Sequence, residues 1–132
     1  MLLVDTNVLL DVLQDDPQWA PWSLGQLRAQ AKLHELVINP VIYSEISLSF
    51  STIEVLDAVV ARMELTLREI SRPALFLAGK AFAQYRRRGG SKAQVLPDFF
   101  IGAHAAVQGW PLLTRDASRF RTYFPSLDVL AP

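Results

Sequence analysis

The chain has 132 residues, a length that suits one domain with one sizeable core. Hydrophobic residues make up 51% of it, which excludes disorder, and the lack of cysteine excludes a disulfide framework, a zinc–thiolate centre and a cysteine nucleophile. Basic and acidic residues balance at 13 each, yet residues 1–70 carry ten acids and four bases (net −6) and residues 71–132 carry three acids and nine bases (net +6). Zero net charge argues against a nucleic-acid partner, but this asymmetry predicts either a partner for the basic half or association between halves.

Leu2 to Val4 reads as a short strand ending at Asp5, and Asn7 to Leu13 as a helix capped by Thr6. Asp5 and Asp11 interrupt this opening stretch, and it lacks a basic flank, so it does not read as a secretory signal. Pro17 and Pro21 punctuate the chain before a helix from about Ser23 to Glu35, and Leu36 to Ile38 forms a second strand. Asn39-Pro40 is a helix start, cap followed by first-turn proline, and that helix runs to about Leu48. Ser51 or Thr52 caps the next, in which Ile53, Leu56, Val60 and Met63 repeat at helical spacing. Thr66 to Ile70 is an edge strand by its weak alternation. Pro73 opens a helix to about Arg87 that ends at Gly89-Gly90, and Pro97 opens another that stops at Gly109. Leu112 to Thr114 is a strand, Asp116 caps a short helical turn, and Leu127 to Leu130 is a last strand. The longest uncharged run, Phe99 to Thr114, is broken by Gly102, His104, Gly109 and Pro111 and does not read as a membrane span. A single soluble, cytoplasmic domain over residues 1–132 is expected, with no repeat or linker.

Strands alternating with helices predict an α/β sandwich around a short parallel sheet. In such a fold the helix N-termini gather at the edge where the strands end, which is where ligands bind. Four acids map to that edge. Asp5 follows the first strand, Asp116 lies just past the strand Leu112 to Thr114, and Asp98 stands in a first helical turn beside Pro97. Glu45 falls between Val41 and Ile42 on its helical wheel, inside the apolar arc. Asp98 shares its face with Gly102, Ala105 and Ala106, small residues that permit close backbone approach.

Each acid also has a structural explanation. Asp5 and Asp116 can cap the helices that follow them, a helix dipole favours Asp98, and a buried arginine would pair Glu45. Together, however, four converging carboxylates repel unless a cation sits among them. Oxygen-only ligands select a hard ion, Mg²⁺ or Mn²⁺.

The motifs V-D-T-N, P-x-x-x-S-E-I, L-P-D-F-F-I-G-A-H-A and L-L-T-R-D-A-S-R-F occur in that order, and the sequence resembles a PIN domain over essentially its whole length. The tail R-F-R-T-Y-F-P-S-L resembles the VapC-type toxins of bacterial toxin–antitoxin pairs. The resemblance implies a sheet of order 3-2-1-4-5 flanked by helices. It implies an acidic quartet of Asp5, Glu45, Asp98 and Asp116, with Asp5, Asp98 and Asp116 as metal ligands and Glu45 as a further ligand or water-positioning base. Thr6, Asn7 and Thr114 match the polar positions that support them. It further implies a Mg²⁺- or Mn²⁺-dependent endoribonuclease, a homodimer and a cognate antitoxin. For RNA contacts the sequence offers Arg86, Arg87, Arg88 and Lys92 around a Gly-Gly turn, with Arg115 and Arg119 flanking the site. Arg86 to Arg88 would equally suit a solvated helix end, whereas Arg115, directly before Asp116, reads as part of the site. His34 and His104 read as surface or half-buried residues, and Trp19, Trp22 and Trp110 as packing residues. Two rivals remain: a catalytically silent PIN-like interaction domain, and a phosphohydrolase with Asp5 as nucleophile. The latter's D-x-D pattern is spoiled by Asn7.

Overall fold

The computed structural model describes residues 1–132. In chain order it contains β1 (Leu2–Val4), α1 (Thr6–Leu13), α2 (Ala20–Ala31), β2 (Leu36–Ile38), α3 (Pro40–Ser47), α4 (Ile53–Arg62), β3 (Thr66–Leu67), α5 (Arg72–Arg87), α6 (Leu96–Gln108), β4 (Leu112–Leu113), α7 (Ser118–Tyr123) and β5 (Val129–Leu130). A 3₁₀ turn, Ala93–Val95, leads directly into α6.

The five strands form one parallel sheet in the order β3-β2-β1-β4-β5. The composition of the strands explains their place. Leu2-Leu3-Val4 and Leu36-Val37-Ile38 are unbroken apolar runs, buried throughout, as strands covered on both faces by helices must be. Leu3 pairs with both Val37 and Leu112, so β1 is the central strand. The chain winds outward from β1 to β2 and β3, then returns to β4 on the other side. The topological switch therefore lies between the C-terminal ends of β1 and β4, where Asp5 and residues 114–116 emerge.

Several boundaries differ from the sequence reading, each for a local reason. Asp5, not Thr6, is the N-cap of α1, and its carboxylate accepts the Thr6 N–H. α2 starts before Pro21 and ends at Ala31, because a turn follows in which the Leu33 and His34 N–H groups both return to the Gln30 carbonyl. α5 starts at Arg72, with Ser71 as cap and Pro73 within the first turn. β3 and β5 are only two residues long. Asp116 does not cap α7, whose N-cap is Ala117 with no side-chain bond.

His104 departs most from expectation, being fully buried in α6. Its Nδ1 lies 3.1 Å from the Asn39 amide nitrogen, and its ring packs 5.1 Å from that of Trp110. The Asn39 Oδ1 already accepts the Ile42 N–H, so the amide nitrogen donates to a neutral imidazole, whose Nε2 finds no partner. Burial lowers the imidazole pKa, in keeping with that neutral form.

α6 is the pivot between core and site. Phe99, Ile101, Ala103 and Ala105 are buried, and α5 is packed along it. Gly102 lets α7 close on the same helix, since a Cβ there would lie 2.5 Å from the Phe124 ring and 3.0 Å from that of Phe120. Phe82, Tyr85, Phe99, Tyr123 and Phe124 form the aromatic seam joining α5, α6 and α7. This close approach brings the basic side chains of α7 to the first turn of α6.

Candidate active site

Asp5 is 4% exposed at the end of the central strand. Its Oδ1 accepts the Thr6 N–H at 2.7 Å, and its Oδ2 accepts the Thr114 hydroxyl at 2.8 Å. The Thr114 oxygen in turn accepts from Asn7 Nδ2 at 3.3 Å and from the Asp116 N–H at 3.2 Å. Asn7 Oδ1 accepts the Arg115 N–H at 3.1 Å, so one amide ties the first turn of α1 to the loop after β4. Thr6 turns its hydroxyl the other way and donates to Glu45 Oε1 at 2.6 Å. Thr6 and Thr114 thus bond directly to Asp5 and Glu45, and Asn7 bonds to Thr114 and to the loop that carries Asp116.

The electrostatics show how crowded the edge is. Asp5 is pushed up to about 7, chiefly by burial and further by Asp98 and Glu45, against the bonds from Thr114 and Thr6. Glu45 is raised by burial and by Asp98, with the Thr6 hydroxyl opposing. Asp98 is raised by burial too, against the hydrogen bond and charge of Arg119, and Asp116 raises it further. Asp5, Glu45, Asp98 and Asp116 therefore share one electrostatic neighbourhood, with Asp116 at its solvent-exposed rim. They are not drawn into a compact set: no three acidic or histidine side chains are grouped closely enough to hold a metal ion as they stand.

Two arginines flank the acids, each already engaged. Arg119 Nη1 donates to Asp98 Oδ2 at 2.7 Å, with both side chains about one-third exposed, at 31% and 33%. Arg115 forks onto Asp11, Nε to Oδ2 at 2.9 Å and Nη2 to Oδ1 at 3.0 Å, and its guanidinium lies 5.4 Å from the Trp19 ring. Asp11 is buried and also accepts the Ser23 hydroxyl at 2.7 Å. Asp11 and Ser23 escaped the sequence reading. Their available signal was a carboxylate within the buried arc of a short apolar helix. Trp19 meets Trp22 edge-on at 6.3 Å, a packing role as expected.

Arg86, Arg87, Arg88 and Lys92 are exposed at and beyond the end of α5. Arg86 lies over Phe82 and Arg88 over Tyr123, so this basic surface adjoins α7 through the aromatic seam. On the other flank Glu45 borders an open groove of about 320 Å³ between α3 and α6, walled by Pro40, Val41, Ser44, Pro97 and Phe100.

A parallel sheet of this order, with its acids near the switch point, defines a doubly wound α/β fold whose ligand edge is acidic. Residues 2–124 match the PIN domain family, and the chain belongs to it. No curated protein matches the sequence. Among solved structures the fold is shared with VapBC2 from Rickettsia felis bound to a fragment of promoter DNA. That match has 19% identity, covers 99% of this chain and 98% of that one, and has a TM-score of 0.75. It is shared also with DNA-bound VapBC from Salmonella typhimurium (20% identity, 99% and 98% covered, TM-score 0.72). FitAcB from Neisseria gonorrhoeae is similar as well, at 18% identity, 98% and 96% coverage and a TM-score of 0.68. No helix is long and apolar enough to cross a membrane.

Proposed function

We propose that this chain is a Mg²⁺- or Mn²⁺-dependent endoribonuclease and the toxin of a toxin–antitoxin pair. The observation that carries the reading is Asp5, buried at the switch point and pushed up to about 7 beside Asp98 and Glu45. Membership of the PIN family supports nuclease chemistry, and the shared fold of complexes named VapBC supports the toxin role. On the same grounds the expected assembly is a homodimer bound by a cognate antitoxin, in the cytoplasm.

The donor set suits a hard divalent cation, since it is oxygen throughout and carries more negative charge than its neighbours offset. Asp5, Asp98 and Asp116 would hold the ion, directly or through water. Such an ion supplies an activated water and neutralises charge building on phosphoryl oxygens. The protein's own residues supply position. Thr114 and the Thr6 N–H fix both oxygens of Asp5, and Asn7 fixes the loop that carries Asp116. Thr6 orients Glu45 through one oxygen, leaving the other to orient a water as a base. Arg86, Arg87, Arg88 and Lys92 would track the RNA backbone, as would Arg119 once free of Asp98.

A silent PIN-like binding domain is the second reading, favoured by two observations: the acids are not grouped into a metal-binding set, and Arg119 already occupies Asp98. One experiment separates the two. Purified protein free of antitoxin is incubated with labelled structured RNA in Mg²⁺, Mn²⁺ or EDTA, beside Asp98→Asn. Metal-dependent cleavage that falls by about 10²-fold or more in the folded variant is the expected result. Equal cutting by both proteins would overturn the site assignment, and no cutting by either would favour the silent domain.

A further inference from the structure

The two flanking arginines are not equivalent, and the difference bears on how a cation enters. Among the four acids only Asp98 has a basic partner, because Arg115 is spent on Asp11. The Arg119 guanidinium sits on Asp98 Oδ2 at 2.7 Å, a charge-assisted bond on an oxygen that a divalent ion would need. A guanidinium and a metal ion cannot share that lone pair. The contact is a single bond rather than a fork, and both partners reach solvent, so it can be exchanged at modest cost.

The helix that carries Arg119 is less free than its side chain. Phe120 and Phe124 lock α7 onto Gly102, one turn beyond Asp98 on the same face of α6. A guanidinium released from Asp98 therefore stays at the edge of the site, near the Tyr85 ring, which lies 6.0 Å from its carbon. There its planar fork is suited to a phosphate.

We propose that Arg119 is a built-in competitor for the divalent cation, occupying Asp98 in the metal-free protein and passing to the RNA phosphate when the ion displaces it. This rests on the metal-dependent reading above. One of the three expected ligands is thus held by an arginine in the protein as it stands. The exchange breaks no covalent bond. A monovalent cation leaves a carboxylate, a divalent one takes its place, and the freed charge is re-used on an anion.

The test is isothermal titration of Mn²⁺ into the RNA-free full chain, wild type against Arg119→Met, with steady-state RNA cleavage in parallel. Without the competitor Mn²⁺ should bind roughly three- to tenfold more tightly. The KM for RNA should rise several-fold, because the phosphate contact is lost. Arg119→Lys, which keeps the charge, should stay near wild type in Mn²⁺ affinity. Circular dichroism checks the fold of each variant, and Arg119→Gln replaces Arg119→Met if the latter does not fold. Mn²⁺ binding that is unchanged or weaker in the variant overturns the competition, and an unchanged KM overturns the transfer to phosphate. If neither wild type nor variant binds Mn²⁺ at all, the metal-dependent function falls with it. Equal binding by both brings down this inference alone.

Discussion

Two arginine–aspartate pairs lie either side of the same carboxylate edge, and they do opposite things. Asp11–Arg115 is a fork on a buried carboxylate, completed by the Ser23 hydroxyl and covered by Trp19. Asp98–Arg119 is one contact between two groups that both see water. The first pair braces the framework: Arg115 links the loop after β4 to α1, and its backbone N–H is the one that Asn7 accepts. The second leaves its arginine exchangeable. Chemistry of the same two residue types is structural where the acid is fully buried and held by a fork, and available for function where a single bond joins two groups that keep some access to water.

Stability measurements should separate the pairs most sharply. Asp11→Ala removes the acid that satisfies Arg115 and Ser23, and should cost about 3 kcal/mol in urea unfolding. Asp98→Ala should cost less than about 1 kcal/mol, the worth of a half-solvated pair. A double-mutant cycle on each pair gives the coupling directly. A coupling at Asp98–Arg119 as large as that at Asp11–Arg115 would erase the distinction.

A smaller effect, confined to one pair, is expected from Gly102→Ala. The added Cβ meets aromatic rings of α7 that are themselves packed in the seam, so α7 has to move away from α6. The expected cost is about 2 kcal/mol, as for overpacking in a close-packed region. More telling than the cost is its location. Arg119 should withdraw from Asp98, while Asp11–Arg115, on the far side of the site, stays intact. A crystal structure of the variant in which both pairs shift alike would show that α7 does not position Arg119.

How much of this was legible in the chain follows from the range of each interaction. The strands and the acids were readable because local patterns mark them. Leu2-Leu3-Val4 announces a buried strand, and Asn39-Pro40 and Leu96-Pro97 announce helix starts a fixed distance from Glu45 and Asp98. The sheet order followed from the PIN resemblance rather than from these patterns. The pairing of Asp11 with Arg115 was not readable, because 104 residues separate them and nothing local in either says which partner it will meet. Arg119 was read as a residue for RNA, and its hold on Asp98 depends on Gly102 admitting α7, a contact between helices. His104 was placed too near the surface because its burial is set by Asn39 and Trp110, which its own helix does not contain.

Asp5 lies between the two pairs, tied through Thr114 and Asn7 to the loop of Arg115 and acted on through space by Asp98. Its titration provides the last and mildest test. In the folded metal-free protein Asp5 stays largely protonated up to about 7, whereas in the unfolded chain it ionises near 4. Between those values the folded state holds the extra proton, so its contribution to stability is full below about 4 and is lost as the pH climbs to about 7. Asp5→Asn removes that slope. Relative to wild type the variant should gain roughly 1–2 kcal/mol at pH 8, less than the carboxyl shift alone implies because Thr114 must reorient toward an amide. The gain should vanish near pH 4. Urea unfolding at the two pH values, in EDTA, measures it. Equal differences at both would mean that the Asp5 carboxyl is not strained, and that the crowding of acids at the switch point is relieved in the protein without a cation.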